Sequence, residues 1–213
     1  MRKLLIVIID YNMGNISSIV HCLRELNFNV RISDDVEVLE EADVVILPGV
    51  GAYKYGMRSL IDNEMDSSLL EAIKKGKELL GICLGMQMLL DESEEFVNTK
   101  GLGLISGKVI KLPTQNKIYE KLPHVSWNEI KEKKTKWNNT ILNNVEQQSD
   151  VYFVHSFITN LDNEDEVLST TVYSDYEFCS SIKKDNIYGC QFHPEKSGEI
   201  GLKIIENFIN ICK

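Results

Sequence analysis

The sequence predicts an α/β protein: a single domain with a mostly parallel central sheet, helices on both faces, and an antiparallel extension in the C-terminal half. In the first half, short apolar runs typical of buried strands alternate with stretches of helical periodicity, which is the pattern of a parallel sheet covered on both faces. After Leu90 the apolar runs become short and closely spaced, which indicates antiparallel strands. The 213 residues are 43% hydrophobic, enough for one large domain with a full core, residues 1–213.

Composition narrows the functional classes. A net charge of −9 and the lack of a basic stripe argue against a nucleic-acid binder, which needs clustered Lys and Arg. The five cysteines are odd in number, scattered and without C-x-x-C spacing, so neither a disulfide framework nor a zinc site is indicated. The apolar run before Asp10 is too short for a signal peptide. We therefore expect a cytoplasmic protein that uses no metal and no membrane.

The N-terminal half is predicted to alternate strands and helices. Its apolar runs predict strands at Leu4–Ile9, Phe28–Ile32 and Asp43–Leu47. From Ile16 to Leu23, apolar residues recur at helical spacing, with Asn15 as the expected N-cap. Further helices are predicted around Met57–Leu60 and Leu69–Ile73.

A sharp strand-to-helix turn is predicted at Cys83. The apolar strand Leu79–Ile82 leads into Cys83, which stands between Gly81 and Gly85, and a helical stretch follows from Leu84 to Leu90. A side chain at either glycine would crowd such a bend, which is the logic of a nucleophile elbow with sulfur as the attacking atom. The alternative is a buried structural cysteine, since free cysteine is among the most buried residue types.

The turn Pro48–Gly51 follows the third predicted strand. It is not a dinucleotide-binding loop, because Lys54 stands where the third glycine of G-x-G-x-x-G would be, and no other cofactor is indicated. The carboxyl ends of adjacent parallel strands face one crevice, which would bring this turn close to Cys83 and let it offer N–H groups to an oxyanion. A simple tight turn is the alternative.

The C-terminal half is predicted to hold short strands and one closing helix. The strands are Lys108–Leu112, Val151–Phe157, Val167–Tyr173, Phe178–Lys183 and Ile187–Phe192, with a hairpin turn at Asp185–Asn186. Apolar residues from Ile200 to Ile209 recur at helical spacing. The charged run Lys131–Lys136 is interpreted as a solvated face.

Four histidines could serve as the base for Cys83: His21, His124, His155 and His193. His21 lies in the first predicted helix and is expected at the surface. His193 directly follows an apolar strand, and Glu195 stands two residues later with Pro194 restricting the link. A carboxylate that orients an imidazole would complete a Cys-His-Glu triad. The alternative for Glu195 is a capping or ion-pairing role.

These motifs resemble those of the class I, triad-type glutamine amidotransferases. Gly81–Gln87 and His193–Glu195 carry the general resemblance. The similarity to the HisH family, the glutaminase subunits of imidazole glycerol phosphate synthase, runs from the first strand to the last helix. Its marks are Asp10–Asn15, Leu47–Ala52, Pro123–Asn128, Tyr152–Phe157 and Gln191–Ser197.

The resemblance implies a role for each matched residue. Cys83 would attack the side-chain amide of glutamine, His193 would protonate the leaving ammonia and then activate water, and Glu195 would orient His193. The oxyanion would be met by N–H groups at Val50, Gly51 and Leu84. Glutamine would be held by Gly49, Gln87, His155 and Ser156.

The resemblance also implies a heterodimer, in which ammonia passes to a HisF-like (β/α)8-barrel cyclase. The partner-facing residues would be Asn12, Asn15, His124, Trp127 and Asn128. The chain departs from the family's usual motifs at Asn12, Val125 and Ser126, which leaves the partner open. Relatives of the HisH subunit also resemble components that supply ammonia for amidino groups on bacterial surface sugars, and this role is the alternative. Further alternatives are a catalytically silent scaffold and a stand-alone cysteine hydrolase. The glycine-rich turn further implies that the isolated chain is a poor glutaminase until a partner docks.

Overall fold

The computed structural model describes residues 4–114 and 121–212. The described strands are β1 (Ile6–Ile9), β2 (Val30–Ser33), β3 (Val44–Leu47), β4 (Glu78–Ile82), β5 (Leu90–Ser93), β6 (Thr99–Lys100), β7 (Ile105–Lys111), β8 (His124–Glu129), β9 (Lys131–Glu132), β10 (Asp150–His155), β11 (Phe157–Leu161), β12 (Val167–Tyr173), β13 (Tyr176–Lys184) and β14 (Ile187–Cys190). The described α-helices are α1 (Ile16–Glu25), α2 (Val36–Glu41), α3 (Tyr53–Asp62), α4 (Met65–Lys74), α5 (Leu84–Gln87) and α6 (Gly198–Ile211).

An eight-stranded sheet of order β2-β1-β3-β4-β14-β13-β12-β9 forms the centre of the molecule. The first five strands in this order are parallel to their neighbours, and β13, β12 and β9 continue the sheet antiparallel. The predicted fold class, a parallel sheet with an antiparallel extension, is therefore confirmed. Because β4 and β14 are adjacent and parallel, the residues after both strands emerge at one edge of the sheet.

Both faces of β1, β3, β4 and β14 are buried, which explains why they read as apolar runs. The edge strand β2 is half-buried or exposed. Ile6 and Ile8 pack into one core with α1 and α6, whereas Val7 and Ile9 pack into a second core with α2, α3 and α4. Successive side chains of a strand point to opposite faces, so each of the four buried strands contributes to both cores.

Two small sheets lie beside the main one. The sequence pattern did not distinguish their strands from those of the main sheet. One has the order β11-β7-β5-β6, and the other pairs β10 with β8. The predicted strand Val151–Phe157 is accordingly divided at Ser156 between β10 and β11. This division turns the chain beside Cys83, which matters for the site described below.

Several element predictions need correction. The helix predicted from Leu84 to Leu90 ends at Gln87, because Leu90 begins β5 and pairs with Ile105 of β7. The helix α2 was missed; it is only six residues long and is capped by the side chain of Asp35. Asn15 does occupy the N-cap position of α1, but its side chain makes no capping hydrogen bond.

Two surface predictions are confirmed. His21 is exposed, and the run Lys131–Lys136 is exposed or half-buried throughout. In the described part of the chain, no helix has the length and apolar character needed to cross a bilayer.

Candidate active site

Cys83 sits in a tight turn between β4 and α5. Its φ of 54° lies in the left-handed region, which is uncommon for a residue with a side chain and costs about 1–3 kcal/mol. A Cβ on Gly81 would lie 2.8 Å from the backbone nitrogen of Met86, and one on Gly85 would lie 1.9 Å from the carbonyl oxygen of Leu47. The two glycines are therefore required by the close approach of neighbouring backbone, as the elbow interpretation predicts.

His193 and Glu195 lie at the end of the adjacent strand β14. The Nδ1 atom of His193 is 2.7 Å from Oε1 of Glu195, and both side chains are almost fully buried. The backbone N–H of His193 donates to the carbonyl of Tyr152, and the hydroxyl of Ser197 donates to the carbonyl of His193. The imidazole is thus fixed in the tautomer and orientation that a general base requires.

The electrostatics favour a protonated His193. Burial lowers its pKa, but Cys83 and Glu195 outweigh that effect and raise the pKa to about 10. The Nε2 atom is buried and has no hydrogen-bond partner among the described residues, so it is available to a reacting group beside Cys83. An imidazolium between a thiolate and a carboxylate is the arrangement of a Cys-His-Glu triad.

A cavity of about 380 Å³ opens over Cys83. Its lining includes two charged side chains that sequence reasoning missed, Glu95 and Lys196. One carboxylate oxygen of Glu95 accepts from the backbone N–H of Tyr53, which begins α3. Lys196 places its Nζ 5.7 Å from the centre of the Tyr152 ring. Glu95 was given no role from the sequence, because no motif marks it.

The residues expected to hold glutamine lie at or beside this cavity, and some of their polar groups are already hydrogen-bonded. Gln87, His155 and Ser156 line it, and Gly49 is buried against Leu84. The Nε2 atom of Gln87 already donates to the carbonyl of Phe157 and to Oε1 of Gln191, both at 2.9 Å. Only the side-chain oxygen of Gln87 is therefore left for a substrate.

His155 is held as a neutral imidazole. Burial and the neighbouring His124 and His193 lower its pKa to about 3, although the carbonyl of Phe157 opposes the shift. That carbonyl can only accept, so Nδ1 of His155 carries the proton and Nε2 faces Nδ1 of His124 at 3.1 Å. The tautomer of His155 follows from this one acceptor.

Two of the three expected oxyanion donors, Val50 and Leu84, are engaged elsewhere in this structure, and Gly51 lines the cavity. The N–H of Leu84 points to the carbonyl of Gly49 at 3.4 Å, and the N–H of Val50 donates to the carbonyl of Met13 at 2.9 Å. The Gly49 carbonyl and the Val50 N–H belong to the same peptide unit. A half-turn of that single peptide would free the Leu84 N–H and aim the Val50 N–H in the same direction.

The expected partner-facing residues divide into surface and interior. Asn12 and Trp127 are exposed, and Asn15 and Asn128 are half-buried. His124 is fully buried and stacks on the rings of Phe153 and Tyr173. The His124 side chain is therefore not exposed on the surface of this chain, because the rings of Phe153 and Tyr173 cover it.

The departure at Asn12 has a physical explanation. Asn12 has a φ of 64°, a left-handed conformation that Gly adopts freely and Asn tolerates better than most residues. Its backbone N–H is capped by the side chain of Asp10. The loop therefore keeps a glycine-like conformation while presenting an exposed amide side chain.

No candidate cluster of metal-binding side chains is found among the described residues. Within 4–114 and 121–212, no group of three or more His, Cys, Asp or Glu side chains is placed to hold a metal ion.

Comparison with known proteins agrees with this geometry. The family model "Glutamine amidotransferase class-I" matches residues 7–212. The chain is 45% identical over 211 residues to "Imidazole glycerol phosphate synthase subunit HisH" of Geobacillus sp. (strain WCH70), covering 98% of each chain. It is 41% identical over 208 residues to "Imidazole glycerol phosphate synthase subunit HisH 1" of Legionella pneumophila (strain Lens), covering 96% of this chain and 98% of the relative.

Solved structures share the fold. "Structure of PurLQS from Thermotoga maritima" includes a chain that matches with a TM-score of 0.74 and 20% identity, covering 100% of both chains. "Crystal structure of glutamine amidotransferase" matches with a TM-score of 0.73 and 15% identity, covering 97% of this chain and 98% of that one. With the family model spanning nearly the whole sequence, the chain belongs to the class I glutamine amidotransferases and, among them, resembles the HisH subunits.

Proposed function

We propose that this chain is the glutaminase subunit of an imidazole glycerol phosphate synthase. It hydrolyses glutamine through Cys83, His193 and Glu195 and passes the ammonia to a HisF-like (β/α)8-barrel cyclase in histidine biosynthesis. The observation that carries the proposal is the buried His193–Glu195 pair, 2.7 Å apart, beside a strained Cys83 at the floor of a cavity. The assignment to histidine biosynthesis is inferred from the HisH relatives.

In the proposed reaction, the thiolate of Cys83 attacks the side-chain carbonyl carbon of glutamine and forms a tetrahedral oxyanion. The C–N bond then breaks while protonated His193 gives its proton to the leaving nitrogen, releasing ammonia and leaving a glutamyl thioester. His193, now neutral, accepts a proton from water as that water attacks the thioester carbon. The bond between that carbon and the sulfur then breaks, glutamate leaves, and the Cys83 thiolate and protonated His193 form the ion pair again.

The charges of the cavity suit a free amino acid. Glutamine carries an α-ammonium and an α-carboxylate, and the lining offers one acidic and one basic side chain, Glu95 and Lys196. One oxygen of Glu95 is used by the backbone of Tyr53, and the other is left for an ammonium. A peptidase or esterase would not need both charges at the end of its substrate, so this pairing favours glutamine over the stand-alone hydrolase.

The partner-binding surface follows from the same geometry. The loop Asp10–Asn15 carries the exposed Asn12 and is tied to the oxyanion turn, because the Met13 carbonyl accepts from Val50 and the Tyr11 hydroxyl donates to the Pro48 carbonyl at 2.6 Å. A partner that moves this loop would move the Gly49–Val50 peptide with it. The proposal therefore includes activation by docking.

The proposal is tested by reconstitution. The chain, glutamine, the histidine-pathway cyclase and its ribonucleotide substrate are combined, and imidazole glycerol phosphate is followed. We expect product with glutamine, and with Cys83→Ala only when ammonium salts replace glutamine. Product formed from ammonium salts but not from glutamine plus this chain would reject the pathway and favour the amidino-sugar role. Glutamine-dependent product that persists with Cys83→Ala would contradict the catalytic assignment.

A further inference from the structure

The buried side chain of Gln191 makes contacts that the triad does not explain. Gln191 follows β14 directly, is fully buried, and continues the sheet by donating its backbone N–H to the carbonyl of Ser180 at 2.9 Å. Residues two apart in an extended segment point to the same side. The side chains of Gln191 and His193 accordingly both turn toward Cys83, whereas Phe192 between them packs into the core.

The direction of the Gln191 amide follows from its neighbours. The carbonyl of Phe157 can only accept a hydrogen bond, so the group that Gln87 presents to it is the amide nitrogen. The same nitrogen reaches Gln191 at 2.9 Å, so Gln191 must present its oxygen there. The Nε2 atom of Gln191 is then left facing Sγ of Cys83, at 3.7 Å. The Phe157 carbonyl thus sets the orientation of the Gln87 amide, and the Gln87 amide sets that of Gln191.

The sulfur therefore has different partners in its two protonation states. As a thiol it can donate to the carbonyl of Val154, 3.9 Å away. As a thiolate it can no longer donate to that carbonyl and needs donors instead. Gln191 supplies one, and hydrogen bonds to an ionised acceptor are stronger than those between neutral groups.

We propose that Gln191 is a further positioning residue of this site: its amide N–H stabilises the thiolate of Cys83 and fixes the sulfur's direction, and Gln87 holds that amide in place. The inference rests on the proposed role of Cys83 as nucleophile. The anchoring continues outward, since the Phe157 carbonyl that orients Gln87 also accepts from Nδ1 of His155. A buried glutamine held by hydrogen bonds through both its oxygen and its nitrogen is a rigid support for a reacting atom.

Two substitutions distinguish the loss of the Gln191 N–H donor from a change in side-chain packing. Gln191→Glu keeps the shape and the oxygen that accepts from Gln87 but removes the N–H facing sulfur. Gln191→Met keeps the length and removes both polar groups. Cys190→Ala is the matched control, since Cys190 is the neighbouring buried residue and alternation turns its side chain to the other face of the sheet.

The readout is the pH profile of Cys83 alkylation by iodoacetamide, followed on the Cys83 peptide by mass spectrometry because the chain has five cysteines. Losing a hydrogen bond to a charged acceptor should move the midpoint of the profile upward by about one to two pH units in Gln191→Met. Gln191→Glu should move it at least as far, because its carboxylate repels the thiolate. Cys190→Ala should leave the midpoint in place.

The proposal is overturned if both Gln191 variants give the wild-type midpoint. It is also overturned if Cys190→Ala shifts the midpoint as far as they do, since the effect would then be general packing. Circular dichroism and thermal unfolding confirm that each variant is folded, and Gln191→Glu serves if Gln191→Met does not fold. Alkylation needs neither glutamine nor a partner, so a wild-type chain that alkylates normally but does not hydrolyse glutamine even with the ligand-loaded cyclase would instead reject the proposed function.

Discussion

The Gly49–Val50 peptide should limit glutamine hydrolysis in the isolated chain. In the described structure the Leu84 N–H points to the carbonyl of this peptide, and the N–H of the peptide donates to the carbonyl of Met13. Turning it breaks two hydrogen bonds, each with a net contribution of about 0.5–1.5 kcal/mol. A cost of about 1–3 kcal/mol corresponds to a 5- to 150-fold lower population of the active arrangement. A docked partner that shifts the Asp10–Asn15 loop should recover that factor.

The matched variants Val50→Pro and Val50→Ala test this prediction. Proline has no N–H, so Val50→Pro removes the donor from the oxyanion site, whereas Val50→Ala trims a side chain that is 38% exposed and keeps the donor. We expect the fully activated complex to lose about a hundredfold to a thousandfold in turnover with Val50→Pro and little with Val50→Ala.

The assay measures glutamate release with and without the cyclase and its ligand, and a separate titration confirms that each variant binds the cyclase. Wild-type turnover that is equal with and without the loaded partner would refute the reasoning. So would full stimulation of Val50→Pro, since the Val50 N–H could not then be the oxyanion donor.

Three further predictions concern the triad. Cys83→Ala should abolish glutamine hydrolysis while cyclase binding and the circular dichroism spectrum stay as in wild type; residual turnover at the wild-type rate would remove the nucleophile assignment. Glu195→Gln should reduce kcat less than His193→Ala, because the first loses orientation and charge and the second loses the base itself; equal or reversed losses would contradict these roles. The pKa of His193 is raised from 6.5 to about 10, because Cys83 and Glu195 outweigh the opposing effect of burial, so its contribution to stability is fully present below about pH 6.5 and is lost as the pH rises through about 10. The difference in Tm between wild type and His193→Ala should therefore narrow from about pH 6 to about pH 10, and a constant difference would show that His193 does not hold its proton in this way.

The parallel half of the fold was predictable because four of its five strands, β1, β3, β4 and β14, are buried on both faces. Continuous apolar runs such as Val44–Leu47 leave little choice of assignment, and the elbow at Cys83 was marked by glycines whose missing side chains the neighbouring backbone requires. The strand β8 was not predicted, and only His124 of its six residues is fully buried. A half-exposed strand of mixed polarity carries a weak periodic signal.

Side-chain burial was the feature that sequence reasoning handled least well. His124 was expected at the surface because it lies in a stretch matched to partner contacts, yet strand alternation turns it inward while Trp127 stays 52% exposed. Glu95 was given no role because no motif marks it, and the turn after β5 brings this carboxylate to the cavity. Such placements depend on which strands pair across the small sheets, and local pattern does not specify that pairing.

The most direct test of the account is to trap the covalent intermediate. The chain, with its activating partner, is mixed with glutamine, quenched in acid after a short interval, digested and analysed by mass spectrometry. The account predicts a glutamyl group on the Cys83 peptide during turnover, absent from Cys83→Ala and from samples without glutamine. Steady hydrolysis of glutamine with the glutamyl group on another residue, or undiminished hydrolysis by Cys83→Ala, would contradict it.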